Sequence, residues 1–144
     1  MNKEEFEKVN VFVIGEPNEQ FAKYFIGNSY LNPLTSLNET SLFLANVTFE
    51  PSCRNNWHIH KSSSKGGQIL IVTAGTGWFQ EEGKEPILLK PGMVITIPAN
   101  VKHWHGATKN SWLSHIAIEV PGTDTKTEWL EPVTDEEYNK LQED

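Results

Sequence analysis

From Ser41 onward no apolar run exceeds a handful of residues before glycine, proline or asparagine interrupts it. That rhythm leaves little choice but an all-β fold. In SLFLANVTFE, Phe43, Ala45, Val47 and Phe49 fall on one face at period two, while Asn46, Thr48 and Glu50 take the other. The segments NNWHIH, QILIVTAG, WFQ, PILL, MVITIP, HWHGAT, SWLSHIAIEV and TEWLEPV continue the series. Glu81-Glu82-Gly83-Lys84, Lys90-Pro91-Gly92 and Pro98-Ala99-Asn100 supply turns between them. Short strands at roughly ten-residue spacing read as a sandwich or barrel. Thr134 followed by Glu137 reads as a capping box opening a short C-terminal helix. The chain has 144 residues, which suits one folding unit of ~150. The expected layout is a single domain over 1–144: an N-terminal arm of about 1–37, a barrel of about 38–133 and a helix of about 134–144. KSSSKGG reads as a flexible polar loop.

A net charge of −7 gives no attraction to phosphate backbones or anionic lipid, so neither nucleic acid nor membrane is an expected partner. No apolar run approaches the ~20 residues of a bilayer span, and MNKEEFEKVN lacks the apolar core of a signal peptide. Cys53 is the single cysteine, so a reducing, cytoplasmic setting is expected. Cys53 itself reads as a small buried filler, and Arg54 beside it as a partner of Glu50 rather than of a substrate carboxylate. Trp57 and Trp104 have the opposite parity to their histidine neighbours and read as outward packing at a dimer interface.

The chemistry lies in the histidines. All five (His58, His60, His103, His105, His115) fall between positions 58 and 115. Two residues apart on a strand, His58 and His60 point the same way with Cα atoms ~7 Å apart, so two imidazoles can converge on one ion. His103 and His105 repeat the spacing. His115 shares its face with Ala117 and Glu119. A lone H-x-H is more often a polar strand end than a metal site; two of them in one small β domain favour a shared interior.

The combination WHIH…Q…G followed by PG(x)5P(x)4H resembles the two motifs of the cupin superfamily. The first, G(x)5HxH(x)3–4E(x)6G, is met by Ser52, His58, His60, Gln68 and Gly75. The second, G(x)5PxG(x)2H(x)3N, is matched in spacing by Gly92, Pro98, Asn100, His103 and Ala107, with Ser52, Asn100 and Ala107 departing from the family residues at turn positions. Seven residues separate His60 from Gln68 where the family has three or four, so KSSSKGG looks like an insertion. KHWHGA, SHIAI and WLEPVTDEEY are similar to a bacterial subset of small cupins that has Gln for Glu. That subset includes manganese-dependent hydroxynitrile lyase-like proteins and members named after carboxymuconolactone decarboxylases.

The resemblance implies a double-stranded β-helix, the cupin jelly-roll barrel, holding one divalent transition metal on His58, His60, Gln68 and His103. Manganese is favoured, with iron, zinc or nickel as alternatives. Gln in place of Glu leaves the ion's charge uncompensated by its own ligands, which implies a stronger Lewis acid and weaker retention. The bland alternative for Gln68 is a solvent-facing residue at a strand start. His105 and His115 are expected to do acid–base work beside the ion, or else one of them merely orients a ligand. Phe43, Ala45, Val47 and Glu119 are expected to line the substrate pocket. Three functions follow: a Lewis-acid lyase for a small organic substrate, an iron-dependent dioxygenase, or a non-catalytic sensor. The resemblance also implies a homodimer formed through Val11–Leu37.

Overall fold

The computed structural model describes residues 1–141; the last three residues of the predicted C-terminal helix lie outside them. The N-terminal part contains α1 Lys3–Val9, β1 Glu16–Pro17, β2 Phe25–Ile26 and β3 Ser29–Pro33. Then come β4 Leu44–Phe49, β5 Arg54–Asn55, β6 His58–Lys61, β7 Ser64–Lys65, β8 Gln68–Gly75 and β9 Gly77–Glu81. β10 Ile87–Leu89, β11 Val94–Ile97, β12 His103–Ala107 and β13 Leu113–Glu119 complete the barrel. β14 Gly122–Thr123, β15 Lys126–Trp129 and α2 Asp135–Asn139 follow.

One sheet runs β1-β3-β4-β13-β8-β11, and the other runs β10-β9-β12-β5-β2 with β6 bridging β12 to β15. The pairings within both sheets are antiparallel. Both sheets turn one side chain in two toward a shared interior. Phe49, Leu70, Val72, Leu89, Ile97 and Leu113 form its apolar floor, with Phe79 and Cys53. Burial pushes the Cys53 thiol up to about 12, so it stays protonated and packs as a small apolar group. Thr134 caps α2 as predicted, its hydroxyl accepting the Glu137 N–H while the Glu137 side chain returns to the Thr134 N–H. The N-terminal stretch is more integral than an arm, since β3 pairs with β4 over five positions.

Backbone conformation explains the two motif positions that depart from glycine. Ser52 (φ 71°) and Asn100 (φ 69°) both occupy the left-handed region, which asparagine tolerates better than most residues. The Asn100 amide also bonds Ser62 from both ends, at 3.1 and 3.0 Å. Those bonds, with the β7–β14 ladder and the Ser62 hydroxyl on the Ser64 and Thr123 carbonyls, pin the insertion. KSSSKGG is therefore a braced ladder rather than the flexible loop its composition suggests. Gly75 is required where it stands: a Cβ there would lie 1.8 Å from the Trp112 carbonyl oxygen.

Two expectations are corrected. Trp57 and Trp104 do face outward from the barrel, yet with Trp78 they are covered by Val133 and Tyr138 of this chain's own C-terminal segment, which takes the place assigned to a dimer interface. Arg54 does not pair with Glu50, which accepts from the Tyr30 hydroxyl. Instead its guanidinium donates to the Val133 carbonyl at 3.1 and 2.8 Å and to Asp135 at 2.6 Å, and it stacks 4.4 Å from the Tyr138 ring centroid. Asp135 is largely exposed, so the carbonyl bonds and the ring stacking carry the weight. Replacing Arg54 with alanine should cost roughly 2–3 kcal/mol, because the charged hydrogen bonds and the cation–π interaction disappear together. Urea unfolding measures the effect, and an unchanged midpoint would mean the C-terminal segment is held by apolar packing alone.

Candidate metal and acid–base centre

Strand register assembles the histidines. His103 on β12 is directly opposite His58 on β6, and their ring centroids are 4.2 Å apart. His60, two residues along β6, lies 5.1 Å from His58 and 5.2 Å from His103 by the same measure. Gln68 comes from the other sheet: it opens β8, and its Oε1 lies 3.2 Å from His60 Nε2. Thus the rings of His58, His60 and His103, expected from the motif, gather between the sheets, and Gln68 reaches the same place through its contact with His60.

Their hydrogen bonds suit an ion. His58 donates Nδ1–H to the Asn56 carbonyl at 2.8 Å, and His103 donates Nδ1–H to the Val101 carbonyl at 2.9 Å. In the neutral ring this leaves Nε2 as a bare lone pair. His103 Nε2 is buried with no hydrogen-bond partner among the described residues, an arrangement that is costly unless something electrophilic meets it. The His60–Gln68 contact is a hydrogen bond in which the amide oxygen accepts from Nε2–H, and both atoms are of a kind that would ligate an ion once that proton leaves. Burial holds His58 well below the ordinary imidazole value, helped by His103 and His60. Burial also lowers His60, against the pull of Glu119, and takes His103 to about 4. Neutral imidazoles are the form a metal needs, so protons do not compete near pH 7.

His58, His103 and His105 form a tight group of three, their ligand atoms all within 4.8 Å of one another. The neighbours of His105 argue for a different role. Asn55 Oδ1 accepts the His105 backbone N–H at 2.9 Å, which turns its amide nitrogen to the ring, 3.2 Å from Nε2 and 3.4 Å from Nδ1. With Nε2 receiving that donor, Nδ1–H of His105 donates to His115 Nε2 at 3.2 Å. His115 stands on β13 in the opposite sheet, fully buried, so the pair bridges the barrel. Burial holds His105 well below the ordinary value and His115 at about 4. Both are neutral near pH 7 and able to act as bases.

These groups open on a cavity of about 410 Å³ whose wall includes Phe43, Ala45, Val47, Phe49, His105 and His115. Glu119 lines it as well, its side chain half exposed. Sequence reasoning missed Asn55, Phe21, Phe25 and the role of Trp129, which all line the same cavity. Trp129 is directly opposite His58 on β15 and stacks on that ring at 4.6 Å and on Tyr24 at 4.5 Å. Its period-two phase with Thr127 is the one signal the sequence carries, and the pairing of β15 with β6 is not local.

Comparison with known proteins agrees with this architecture. The cupin domain family matches residues 45–118. A protein named (R)-mandelonitrile lyase from Granulicella tundricola is 40% identical over 120 residues, covering 83% of this chain and 88% of that protein. The crystal structure of a cupin-like protein from Thermotoga maritima is 41% identical, with a TM-score of 0.78, and covers 91% of this chain and 96% of its own. A predicted oxalate decarboxylase from the same organism, at 20% identity and TM-score 0.64 over 76% of this chain and 98% of its own, shares the fold. Among the described residues no helix is long and apolar enough to cross a membrane. Two histidine-bearing strands in register, closed into a double-stranded β-helix and matched over half the length, make this chain a member of the cupin family.

Proposed function

We propose that this cupin is a metal-dependent lyase. Its substrate is a small organic molecule with an apolar, aromatic-sized body and a hydroxyl or carbonyl group, and it breaks or forms a carbon–carbon bond at the carbon bearing that group. The observation that carries this reading is the neutral, buried His105–His115 pair, hydrogen-bonded across the barrel in the cavity that also holds His58, His60 and Gln68. A divalent transition ion on His58, His60, Gln68 and His103, manganese by resemblance to the hydroxynitrile lyase-like cupins although the donors suit iron, zinc or nickel equally, would supply Lewis acidity that makes a substrate hydroxyl easier to deprotonate.

The chain's own groups do the rest. His105 takes the hydroxyl proton at Nε2, where the substrate hydroxyl would replace the Asn55 amide as its partner, and passes its Nδ1 proton to His115 Nε2, so the positive charge rests on His115. Reversing the relay returns a proton to the departing carbon fragment. Asn55 fixes the His105 backbone beside the cavity through that residue's N–H. Phe25, Phe43, Val47 and Phe49 hold the apolar body and keep bulk water from the pair. A dedicated proton relay favours acid–base chemistry over an iron-dependent dioxygenase, and the name of the Granulicella relative suggests an aromatic cyanohydrin as the first substrate to try.

The test loads the protein with manganese, iron, zinc or nickel in turn and follows aldehyde release from mandelonitrile, with lactones and hydroxy acids in parallel. Turnover should depend on the bound ion, vanish with chelator and return on adding manganese. Oxygen consumption that requires ferrous iron, or stoichiometric metal without turnover on any of these substrates, would overturn the reading.

A further inference from the structure

We infer that Glu119 is a positioning residue for the ion, acting through the amide of Gln68 to set how tightly the site holds its metal. This rests on the metal-centred reading above. Gln68 and Glu119 are direct cross-strand partners on β8 and β13, so their side chains share a face. Gln68 Nε2 donates to Glu119 Oε1 at 2.6 Å. An ionised carboxylate only accepts, so this bond fixes which end of the amide is which: the nitrogen lies toward Glu119 and Oε1 toward His60 Nε2. Rotated the other way, the amide would offer the centre an NH₂ group, which cannot ligate. The bond also draws electron density toward the carbonyl oxygen, improving it as a donor.

The other carboxylate oxygen lies 3.8 Å from His60 Nδ1, an electrostatic contact rather than a hydrogen bond; in the metal-free barrel the Gln68 carbonyl accepts from His60 Nε2–H, and that proton would have to leave for an ion to be held. The family motif has a carboxylate as the fourth ligand. Here the amide is the ligand and a carboxylate stands one hydrogen bond behind it, so the negative charge is displaced rather than lost. The ligands themselves stay neutral, as expected, with a countercharge just behind them, and Glu119 supports the centre as well as lining the pocket.

The experiment measures binding of Mn²⁺ alone, by equilibrium dialysis with the electron paramagnetic resonance signal of free ion as readout. It compares the wild type with Glu119→Leu, Glu119→Gln, Gln68→Ala and the double variant Gln68→Ala/Glu119→Leu. Removing the acceptor should weaken Mn²⁺ affinity about 10–100-fold, the usual effect of losing a partner behind a ligand. Glu119→Gln, which keeps an acceptor without the charge, should fall between. In the Gln68→Ala background the Glu119→Leu change should cost less than about threefold, because the residue it acts through is gone. Exchanging the two, as Gln68→Glu/Glu119→Gln, should restore binding to wild-type strength or better. Unaltered affinity in Glu119→Leu overturns the inference, and so does a full loss that persists without Gln68, which would place Glu119 on the ion or on His60. Failure of the wild type to bind Mn²⁺ would remove the metal reading and this inference with it, a result separable from the others. Unfolding curves for each variant check that the barrel is intact.

Discussion

Replacing His115 with alanine should lower kcat/KM by about 10²–10⁴-fold, the range spanned by positioned general acids and bases, while Mn²⁺ stays bound. His115 is not in the ligand set, and its ring bonds His105 Nδ1 at 3.2 Å. Removing it leaves the ion's environment as it was but takes away the site where the relayed proton rests. His105→Ala should cost at least as much, because that ring takes the proton first. The double variant should be little worse than the poorer single one, since residues that act as a unit are not additive. Measuring kcat/KM, bound manganese and the affinity of a non-reacting substrate analogue separates the outcomes. Turnover retained in His115→Ala would end the acid–base assignment. Unchanged analogue affinity with no turnover even in the parent protein would favour a sensor.

Much of this arrangement is legible in the sequence wherever it depends on neighbours along one strand. Period two alone puts His58 beside His60 and His103 beside His105, and it aligns Phe43, Ala45, Val47 and Phe49 on one wall. The capping box at Thr134 is local chemistry and forms as written. The rest depends on which strands meet. Gln68 can be tied to the histidines only by motif resemblance, because seven intervening residues obscure the spacing and its real neighbours, His60 and Glu119, lie on other strands. Trp57 and Trp104 face outward as parity requires, but parity cannot foretell that Val133 and Tyr138 fold back to cover them. For the same reason proximity in sequence pairs Arg54 with Glu50, when the acceptor it reaches is the Val133 carbonyl, 79 residues away. Asn55 carries no motif at all; its importance comes from β5 lying against β12, which brings it to His105.

The metal-free protein should lose stability steeply between about pH 6.5 and pH 4, a loss that begins about two units above the ordinary carboxylate values. The sign follows from the histidines. His103 and His115 are each held at about 4 by burial, against ~6.5 in an unfolded chain. Between those values the unfolded state binds protons that the folded state refuses, so stability rises with pH across the window. It is fully present above about pH 6.5 and falls away as pH drops toward 4. At about 1.36 kcal/mol per unit, each of these two groups contributes on the order of 3 kcal/mol, a large part of the roughly 5–15 kcal/mol typical of a domain. His58 and His105 are lowered as well and add in the same direction. Urea titrations with chelator present, at half-unit steps from pH 7.5 to 4, give the slope directly. His115→Phe should flatten it by up to one proton's worth, because a ring of similar size then fills the space without titrating. The exposed ion pairs cannot imitate this: Glu128 and Glu131 are held below the ordinary carboxylate value by Lys61 and Lys102, so any stability they contribute is lost only at lower pH. A flat profile down to pH 5 would mean that the imidazoles protonate inside the folded barrel, and the buried lone pair at His103 would then be no preformed seat for a cation.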